Sequence, residues 1–380
     1  MDGSFRYVVA GAGFFGAVVA RRIAEELDEP VLIVERRSHI GGNSYSETDA
    51  RTGIEVHRYG THLFHTSNEA VWTFVKRFSN FNNYRHRVFT RHRGRVYTMP
   101  INLQTINAFF GLDLTPSQAR AFIAEQATAG AIGEPANLEE KAISLIGRPL
   151  YEAFVRGYTA KQWETDPTNL PPDIITRLPV RFSRNDFYFS DLYEGLPLDG
   201  YAALFTRLLD HPKITIRLGC DFFAVRDSLP AGATVIYTGP IDRYFDYRCG
   251  RLGWRTLDFE TESLDEDDHQ GTAVLNYADT DVPYTRVHEF KHLHPERHHD
   301  GRTTIMREYS RFAGVDDDPY YPINTPADRK TYDAYRALAD AEEGVFFGGR
   351  LGSYRYLDMH QAIGAAFKLF ERLAARHRGG

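Results

Sequence analysis

The sequence predicts an α/β fold in which a Rossmann-like domain carries an inserted helical domain and a mixed or antiparallel β-sheet domain. Three observations predict this fold class. A short apolar strand near the start runs into a glycine-rich turn and an amphipathic helix. Helical periodicity then dominates residues 70–165, and strand-like alternation dominates residues 213–240 and 270–310.

Length, charge and hydropathy exclude several classes of protein. The 380 residues are enough for a large buried core, so a small binding module is not expected. The net charge of -6 argues against the concentrated basic surface that nucleic-acid binders need. No apolar run approaches the roughly 18 residues of a membrane span, and the start does not have the layout of a signal peptide. We therefore expect no nucleic-acid partner, no membrane partner and a cytoplasmic location.

The first element is a unit of strand, turn and helix. Strand Tyr7–Ala10 leads into Gly11, Gly13 and Gly16. Gly11 permits the tight turn, Gly13 lets the backbone approach a pyrophosphate, and Gly16 lets the helix pack closely on the strand. The N-terminus of the helix then faces the phosphates, where its dipole favours negative charge. The pattern predicts a dinucleotide site.

The second strand and the residues that follow it indicate whether the dinucleotide is FAD or NAD(P)H. It covers Val31–Val34 and ends at Glu35, whose carboxylate is placed to accept hydrogen bonds from a ribose. Arg36 and the run His39–Ser44 resemble the arginine and double-glycine extension of FAD-binding proteins, and no second glycine motif of this quality is present for NAD(P)H. We therefore predict FAD as the cofactor. Its predicted contacts in this part of the chain are Gly11, Gly13, Phe15, Gly16, Glu35, Arg36, Gly42, Asn43 and Ser44.

The matching part of the site is predicted near the other end of the chain. A strand at Val345–Phe347 leads into Gly348-Gly349-Arg350, and Asp358 is expected to cap a helix with one apolar face. That helix N-terminus would stabilise negative charge on a reduced flavin, although an ordinary capped core helix explains the same periodicity. We expect the first and last segments to enclose one site. Its FAD contacts here are predicted at Arg350, Leu357, Asp358 and Met359.

The middle of the chain separates into helical and sheet regions. Helical segments are predicted near residues 72–75, 106–110, 117–125 and 138–163. Four prolines within 166–184 disfavour a long helix and favour a mobile connection or lid. The predicted domains are a discontinuous FAD-binding domain (1–75, 196–245 and 340–380), a helical domain (76–165), and a lid with an antiparallel sheet that binds substrate (166–195 and 246–339).

Aromatic and basic residues in these regions are candidates for a ligand site. Phe154 and Tyr158 lie at helical spacing, which fits core packing, although tyrosine hydroxyls often line ligand sites. Arg177, Arg286 and Arg350 have the chemistry to bind a pyrophosphate.

Other residue groups carry no predicted chemistry. Cys220 and Cys249 lie outside any Cys-x-x-Cys pattern, so both thiols are expected to be inert. The acidic runs at 265–268 and 316–318 are interpreted as solvated loops. Histidines cluster at 57–65 and 288–299 without the regular ligand spacing of a metal site, and we predict no metal.

Together these motifs resemble the UDP-galactopyranose mutase family, in its shorter bacterial form, over nearly the whole chain. The resemblance rests on the segments Gly11–Gly16, Ile40–Asn43, Tyr59–Thr66, Tyr158–Trp163, Leu178–Phe182, Tyr237–Pro240, Val282–Arg286, Tyr320–Pro322, Gly348–Arg350 and Tyr356–Met359. It implies a flavin-dependent isomerase that interconverts UDP-galactopyranose and UDP-galactofuranose for cell-wall galactofuranose synthesis. In that family FAD is active when reduced, and its N5 acts as the nucleophile on the anomeric carbon with no net redox change. The resemblance also implies an external reductant and a homodimer.

The resemblance further implies roles for individual residues. The catalytic residues would be Arg177 and Arg286, both on the diphosphate, and His62, which would lie with Thr61 beside the flavin. Phe154 and Tyr188 would hold the uracil. The full set of implied substrate contacts is His86, Phe154, Tyr158, Trp163, Arg177, Tyr188, Asn276, Arg286, Tyr321 and Tyr356.

Two positions depart from the family pattern. His86 occupies a place near the substrate where relatives carry asparagine, and a histidine ordinarily changes charge between about pH 5 and 8. Its role and the pH dependence are therefore open. Val155 stands where some relatives have an aromatic residue, which would change how the uridine is held.

Two other functions fit a protein of this architecture. A flavin amine oxidase or desaturase would remove hydride from its substrate, and Arg177 and Arg286 would then have no obvious use. Steady oxygen consumption would favour it. A non-enzymatic escort protein of the GDP-dissociation-inhibitor type would be colourless when purified.

Overall fold

The computed structural model describes residues 5–130, 133–177, 180–299 and 301–379. In the turn at 172–177 it describes the backbone of Asp173, Thr176 and Arg177 but not their side chains. The side chain of the predicted catalytic residue Arg177 therefore lies outside the described residues, as do Leu178 and Pro179.

The strands and helices are numbered in chain order. The strands are β1 (Tyr7–Ala10), β2 (Val31–Val34), β3 (Ser46–Thr48), β4 (Glu55–His57), β5 (Phe64–Thr66), β6 (Val88–His92), β7 (Arg95–Met99), β8 (Tyr193–Gly195), β9 (Ile214–Arg217), β10 (Thr234–Tyr237), β11 (Trp254–Leu264), β12 (Val274–Tyr277), β13 (Arg286–Glu289), β14 (Thr303–Phe312), β15 (Tyr321–Pro322) and β16 (Val345–Phe347). The helices are α1 (Phe14–Arg22), α2 (Glu69–Val75), α3 (Leu103–Phe110), α4 (Pro116–Ala129), α5 (Leu138–Leu150), α6 (Gly157–Trp163), α7 (Gly200–Leu209), α8 (Phe222–Val225), α9 (Ile241–Tyr244), α10 (Pro326–Ala341), α11 (Gly349–Gly352) and α12 (Met359–Gly379).

A parallel sheet has the strand order β16-β10-β1-β2-β9. Alternate residues of β1 pack into different core clusters: Tyr7 and Val9 on one face, Val8 and Ala10 on the other. Both faces are therefore covered, as the continuous apolar sequence of this strand predicts. The strand order reverses between β1 and β10, and open parallel sheets bind ligands at such a point. The predicted Rossmann-like fold is confirmed.

Helices α1 and α12 pack together against the sheet and connect the two ends of the chain. The guanidinium of Arg22 on α1 lies 4.1 Å from the ring centroid of Phe370 on α12. The buried face of α12 includes Ile363 and Leu373, two residues of the stripe that predicted this helix. Among the described residues, no helix combines the length and apolar character needed to cross a lipid bilayer.

A larger sheet has the order β15-β11-β14-β13-β12-β6-β7 and supports the candidate site described below. Its pairs are antiparallel except that β6 runs parallel to β12, so the predicted mixed sheet is confirmed. Strands β6 and β7 lie within residues 76–165, the range predicted to be helical. Arg93 and Gly94 join them and both have positive φ values, of 47° and 77°, which suit a tight two-residue hairpin turn.

Strand β9 does not join the sheet that its pattern predicts. The alternation at 213–240 indicates a mixed or antiparallel sheet, although the predicted domain bounds place this range in the FAD-binding domain. The sheet type is wrong for β9 and β10, because β9 pairs parallel with β2 and β10 pairs parallel with β1. Strand β9 is an edge strand in which Ile214 and Ile216 are half-buried while Thr215 and Arg217 are exposed. Exposure on one face gives an edge strand the alternation that is typical of antiparallel strands.

The helical region consists mainly of α3 to α6, with a π-helical turn at Tyr151–Arg156 between α5 and α6. The predicted start of α4 is confirmed, since Thr115 and Gln118 form a capping box. Gly147 kinks α5 with a φ of 77°, and a Cβ at that position would lie 2.7 Å from the Cβ of Gln126 on α4. The kink lets the two helices approach closely.

Candidate active site

A cavity of about 260 Å3 opens at the carboxyl ends of β1 and β10. Its walls include the turn after β1, residues 34–37 and 41–44, and residues 349–351 with Leu357 and Met359. The two ends of the chain touch here, because a Cβ on Gly348 would lie only 2.1 Å from Cζ of Phe15. The first and last segments thus surround one cavity.

Three glycines shape the cavity, for different reasons. Gly11 has a φ of 112°, and a Cβ there would lie 2.1 Å from Oγ1 of Thr238. A Cβ on Gly16 would lie 2.1 Å from the carbonyl oxygen of Gly11. A Cβ on Gly13 would meet only Cα of Gly42, at the ordinary contact distance of 3.8 Å. Packing within the protein therefore requires glycine at positions 11 and 16, whereas the space beside Gly13 belongs to the cavity.

The start of α1 lies at this cavity and has no side-chain cap on Gly13. The first backbone N–H groups of a helix have no partner within the helix. They therefore favour a negatively charged group in the cavity, to which the helix dipole adds.

Glu35 is buried at the rim, where one carboxylate oxygen accepts from the backbone N–H of Ala12 and the other from that of Arg37, both at 2.8 Å. Each oxygen keeps a lone pair for a further donor such as a ribose hydroxyl. Arg37 also donates to Oδ1 of Asn43 at 2.9 Å. The carboxylate is thus oriented before any ligand binds.

Asp318 lines the same cavity and forms ion pairs with Arg36 and with Arg37, the latter at 2.8 Å. Burial opposes its ionisation, but the two arginines outweigh burial and lower its pKa. The solvated-loop interpretation of residues 316–318 is therefore wrong for Asp318. Asp317 pairs with Arg311 at 2.5 Å near the surface.

Arg350 stands between the cavity and a pair of tyrosines. Its guanidinium donates to the carbonyl oxygen of Leu357 at 2.8 Å and lies 4.9 Å from the ring centroid of Tyr356 and 5.5 Å from that of Tyr321. Burial is the main cause that raises the pKa of both phenols, so both stay neutral donors. Asp358 immediately precedes α12, and its carbonyl oxygen accepts from the N–H of Ala362 at 2.9 Å.

His62 also lines the cavity. Burial lowers the pKa of His62 to about 4, so its imidazole is neutral at pH 7. Its Nδ1 lies 2.8 Å from the carbonyl oxygen of Gly60, which can only accept, so Nδ1 carries the proton. Nε2 is then left as an acceptor. The backbone N–H of His62 donates to Nδ1 of His57 at 3.0 Å, which fixes the loop.

The second part of the site is a row of side chains on one face of the larger sheet. Asn276, Arg286 and Glu308 occupy directly opposite positions on β12, β13 and β14. Arg286 lies 3.2 Å from Glu308, measured from Nε to Oε1, and its guanidinium donates to Oη of Tyr158 on α6. The buried Oδ1 of Asn276 has no hydrogen-bond partner among the described residues, so it is available to a donor on a ligand.

Lys161 fixes the hairpin loop that leads into this row. Its Nζ lies within 3.0 Å of four backbone carbonyl oxygens, those of Tyr277, Asp279, Val282 and Tyr284. An ammonium group surrounded by carbonyls is a structural support and is not free to bind a phosphate.

His86 and Tyr188 lie near this row, since both are within electrostatic range of Arg286, and we call the row and its surroundings the substrate cleft. The backbone N–H of Tyr188 donates to the carbonyl oxygen of His86 at 2.8 Å, and their rings are 5.6 Å apart. Burial lowers the pKa of His86 to about 3. The charge change open to an exposed histidine between about pH 5 and 8 therefore does not occur here.

Phe154 and Trp163 pack into or against the helical core. Phe154 is buried, with edge-to-face contacts to Tyr97 and Phe109 at 5.0 and 5.2 Å. Tyr188 is exposed on 45% of its surface, so the two residues predicted to hold uracil occupy different environments. Trp163 is half-buried at the end of α6.

Two groups of histidines and acids bring possible metal ligands within 4.8 Å of one another, namely His65, Asp358 and His360, and Asp268, Glu289 and His292. In the second group, the imidazole of His292 lies between Asp268 and Glu289, and their carboxylates outweigh burial and raise its pKa. The absence of a metal stays a prediction.

Several site residues escape the sequence motifs. Glu308 and His288 lie in strands without a motif of their own, and only the register of β13 on β14 brings Glu308 opposite Arg286. Thr238 lies in a segment that carries the family resemblance, but it was given no role. Its position directly after β10, where the strand order reverses, could have predicted that it lines the cavity, because open parallel sheets bind ligands at that point.

Comparison with known proteins bears on this arrangement. The family model described as UDP-galactopyranose mutase matches residues 153–356, and one described as an NAD(P)-binding Rossmann-like domain matches residues 9–78. A probable UDP-galactopyranose mutase of Klebsiella pneumoniae is 45% identical over 361 residues, 95% of this chain and 92% of that protein.

A dTDP-fucopyranose mutase of Escherichia coli is 41% identical over 367 residues, 96% of this chain and 97% of that protein. The crystal structure of a reduced UDP-galactopyranose mutase matches with a TM-score of 0.76 over 97% of this chain and 95% of that chain. Its 16% identity makes the last likeness one of fold alone.

Proposed function

The chain belongs to the UDP-galactopyranose mutase family, and from this premise we propose that it interconverts UDP-galactopyranose and UDP-galactofuranose with reduced FAD as its resident cofactor. The observation that carries the proposal is that one group of side chains connects the dinucleotide cavity with the substrate cleft. Arg350 lines the dinucleotide cavity and contacts Tyr321, and Tyr321 lies within electrostatic range of Arg286 in the substrate cleft. A cofactor in the cavity and a sugar nucleotide in the cleft would meet beside Arg350.

The cavity residues fit FAD. The open space at Gly13, the uncapped start of α1 and the oriented Glu35 carboxylate suit a pyrophosphate and a ribose. Arg36, Gly42, Asn43 and Ser44 would continue this half of the site. Arg350, Leu357 and Met359 would hold the isoalloxazine ring, with His62 beside it. Reduced and bound, FAD would supply a nucleophile, its N5 nitrogen, for the anomeric carbon, so that the sugar is isomerised without net redox change.

The residues of the cleft would bind the diphosphate. Burial disfavours the charge of Arg286, but Glu308 outweighs burial and raises its pKa, so Arg286 stays a fixed cation. Tyr158, whose pKa burial raises to about 12, and Tyr321 and Tyr356 are neutral donors for phosphate oxygens. Arg177 would add a second cation, as the family resemblance implies.

Other residues around the site would accept hydrogen bonds and exclude water. His62, neutral and with Nε2 as an acceptor, would take a hydrogen bond from the flavin or from a sugar hydroxyl without adding charge. The buried Oδ1 of Asn276 would accept from the nucleotide. Closure of the segment at 166–184 over the cleft would exclude water while the sugar is detached from UDP.

Isomerisation of dTDP-fucopyranose is the second candidate function, and the 41% identity to a dTDP-fucopyranose mutase favours it. The two substrates differ at sugar C6, at the methyl group of the base and at the ribose 2′-hydroxyl. A direct competition between both sugar nucleotides for the reduced enzyme, read as the ratio of their kcat/KM values, would decide between them.

The test of the proposal is the conversion of UDP-galactopyranose followed by chromatography, with and without dithionite. We expect a yellow protein that is inactive when oxidised and that, once reduced by an external reductant, turns over many times without consuming it. FAD replaced by its 5-deaza analogue should bind without supporting conversion. Steady oxygen consumption would instead support the oxidase, a colourless protein the escort, and one reductant consumed per product would contradict isomerisation.

A further inference from the structure

A chain of four polar side chains joins the substrate cleft to the flavin cavity. It consists of Arg286, Glu308, His288 and Thr61, and we call it the Arg286–Thr61 chain. Arg286 Nε lies 3.2 Å from Glu308 Oε1, Glu308 Oε2 lies 3.1 Å from His288 Nε2, and His288 Nδ1 lies 2.8 Å from Thr61 Oγ1. Thr61 immediately precedes His62, which lines the cavity.

Arg286 and Glu308 form an ion pair, and the chemistry of the other groups fixes the direction of the two hydrogen bonds at His288. Burial opposes the ionisation of Glu308, but Arg286 and His288 outweigh it and lower its pKa to about 2, so its carboxylate only accepts. The proton of His288 must then sit on Nε2. Burial is also the largest cause that lowers the pKa of His288, so its Nδ1 is unprotonated and accepts from the hydroxyl of Thr61.

The chain is shielded from water in its middle. His288 and Glu308 are exposed on only 1% and 4% of their surfaces. Gly60 packs against the same carboxylate, because a Cβ at that position would lie 3.5 Å from Glu308 Oε2 and 3.3 Å from the ring of Phe259. Water cannot replace a partner that a buried donor or acceptor loses, so a change at one end is not absorbed by solvent.

We propose that His288 is a positioning residue that couples occupation of the diphosphate site at Arg286 to the placement of the Thr61–His62 segment beside the flavin. A diphosphate would compete with Glu308 for the guanidinium of Arg286. The carboxylate of Glu308 would then rely more on its bond from His288, at 3.1 Å, than on its longer bond from Thr285, at 3.4 Å, and the imidazole would carry the change to Thr61. By linkage, reduction of the flavin must change the free energy of UDP binding by the same amount as UDP binding changes the free energy of flavin reduction.

This inference rests on the proposed function, because it takes Arg286 as the diphosphate ligand. Its test is the ratio of the UDP dissociation constants of oxidised and dithionite-reduced holoenzyme, measured by calorimetry without any turnover. We expect a ratio of about fivefold or more in the unchanged protein, the lower end of typical coupling between sites. His288→Phe, which keeps a flat ring beside Phe290 but removes both hydrogen bonds, should bring the ratio close to one.

Substitutions at Thr61 give a second measurement that leaves Glu308 and His288, the middle of the Arg286–Thr61 chain, unchanged. Thr61→Val keeps the shape and removes the hydroxyl, and it should also bring the ratio close to one. Thr61→Ser keeps the hydroxyl and should restore it. The matched control is His294→Phe, since His294 is equally buried, lies near Glu55 and Glu296, and has no place in the chain.

The outcomes separate the two proposals. A protein that does not bind UDP in either redox state would contradict the proposed function. UDP binding with a ratio near one in the unchanged protein, a ratio preserved in His288→Phe and Thr61→Val, or an equal loss in His294→Phe would each overturn the role of His288 and leave the proposed function standing.

Discussion

Arg286 and Glu308 face each other across neighbouring strands, with Nε and Oε1 3.2 Å apart at directly opposite positions of β13 and β14. The pair is held in place by the sheet and is therefore rigid before a ligand arrives. Since Arg286 Nε has no aligned hydrogen-bond partner among the described residues, the guanidinium keeps donor capacity for a phosphate. Preorganised charge of this kind lowers the cost of binding.

Arg286→Ala should weaken UDP binding and turnover by about 10- to 150-fold, because a hydrogen bond to a charged group contributes about 1.5–3 kcal/mol. The flavin spectrum should not change. Calorimetry with UDP and chromatography of the sugar nucleotides measure both effects. Arg307→Ala is the matched control, as Arg307 is the next residue to Glu308 but pairs with Glu262 at the surface. Unchanged UDP affinity in Arg286→Ala would show that the diphosphate binds elsewhere.

Gly13→Val should give a folded protein that purifies without colour, because the space beside Gly13 belongs to the cavity and its nearest protein neighbour is 3.8 Å away. Gly16→Val should instead fail to fold, since its Cβ would overlap the carbonyl of Gly11 at 2.1 Å. Absorbance near the flavin bands and circular dichroism separate the two results. Gly364→Val on α12 meets open space and is the control. Full FAD in a folded Gly13→Val protein would mean that the pyrophosphate lies elsewhere.

Lys161→Met should lower the free energy of unfolding by about 1–3 kcal/mol, because it removes the donor shared by four part-buried carbonyl groups and an unpaired buried group costs about that much. Urea denaturation followed by fluorescence measures the loss. Lys368→Met, at an exposed position of α12, should change stability by less than about 0.5 kcal/mol. Equal stability of the two variants would contradict the supporting role of the ammonium group.

Stability should fall as the pH is lowered from about 6.5 towards 4. Burial lowers the folded-state pKa of His62 to about 4 and that of His86 to about 3, so only the unfolded chain binds these protons in that interval. Each histidine should contribute up to about 1.4 kcal/mol per pH unit. In His86→Asn, the free energy of unfolding should therefore fall less steeply with pH, by the contribution of one proton. Urea denaturation at several pH values measures this slope, and an unchanged slope would show that His86 is protonated in the folded protein.

Arg177→Ala should cut turnover severely and leave FAD bound, if Arg177 is the second diphosphate cation that the family resemblance implies. A charge-assisted bond of about 1.5–3 kcal/mol sets the scale of the loss. Steady-state kinetics and the visible spectrum measure the two properties, and Arg184→Ala in the same proline-rich stretch serves as the control. Wild-type affinity and turnover in Arg177→Ala would remove this residue from the site.

The sequence was most informative where the signal is local. Gly11, Gly13, Gly16 and Glu35 follow one another within a single strand-turn-helix-strand unit, so their spacing alone predicted the sheet, the turn and the cavity wall. The pattern of β9 predicted the wrong type of sheet, because its neighbour β2 is distant in sequence and an edge strand alternates like an antiparallel one.

The substrate side depended more on the family resemblance, for a related reason. Glu308 and His288 take their roles from the register between β13 and β14, which no spacing within either strand encodes. Asp318 looked like part of a solvated acidic run, since only the fold brings it to Arg36 and Arg37. The neutrality of His86 follows from burial, which an isolated histidine in a sequence does not reveal.

The contact between Phe15 and Gly348 has a consequence for biosynthesis. The wall that receives the dinucleotide is started by residues 10–16 and finished by residues 348–362, so a nascent chain cannot form the whole wall until residue 362 has left the ribosome. Contacts between such distant parts of a chain also form late and slowly in folding. Flavin supply during expression should therefore affect the yield of mature protein after release and leave the translating chain unaffected.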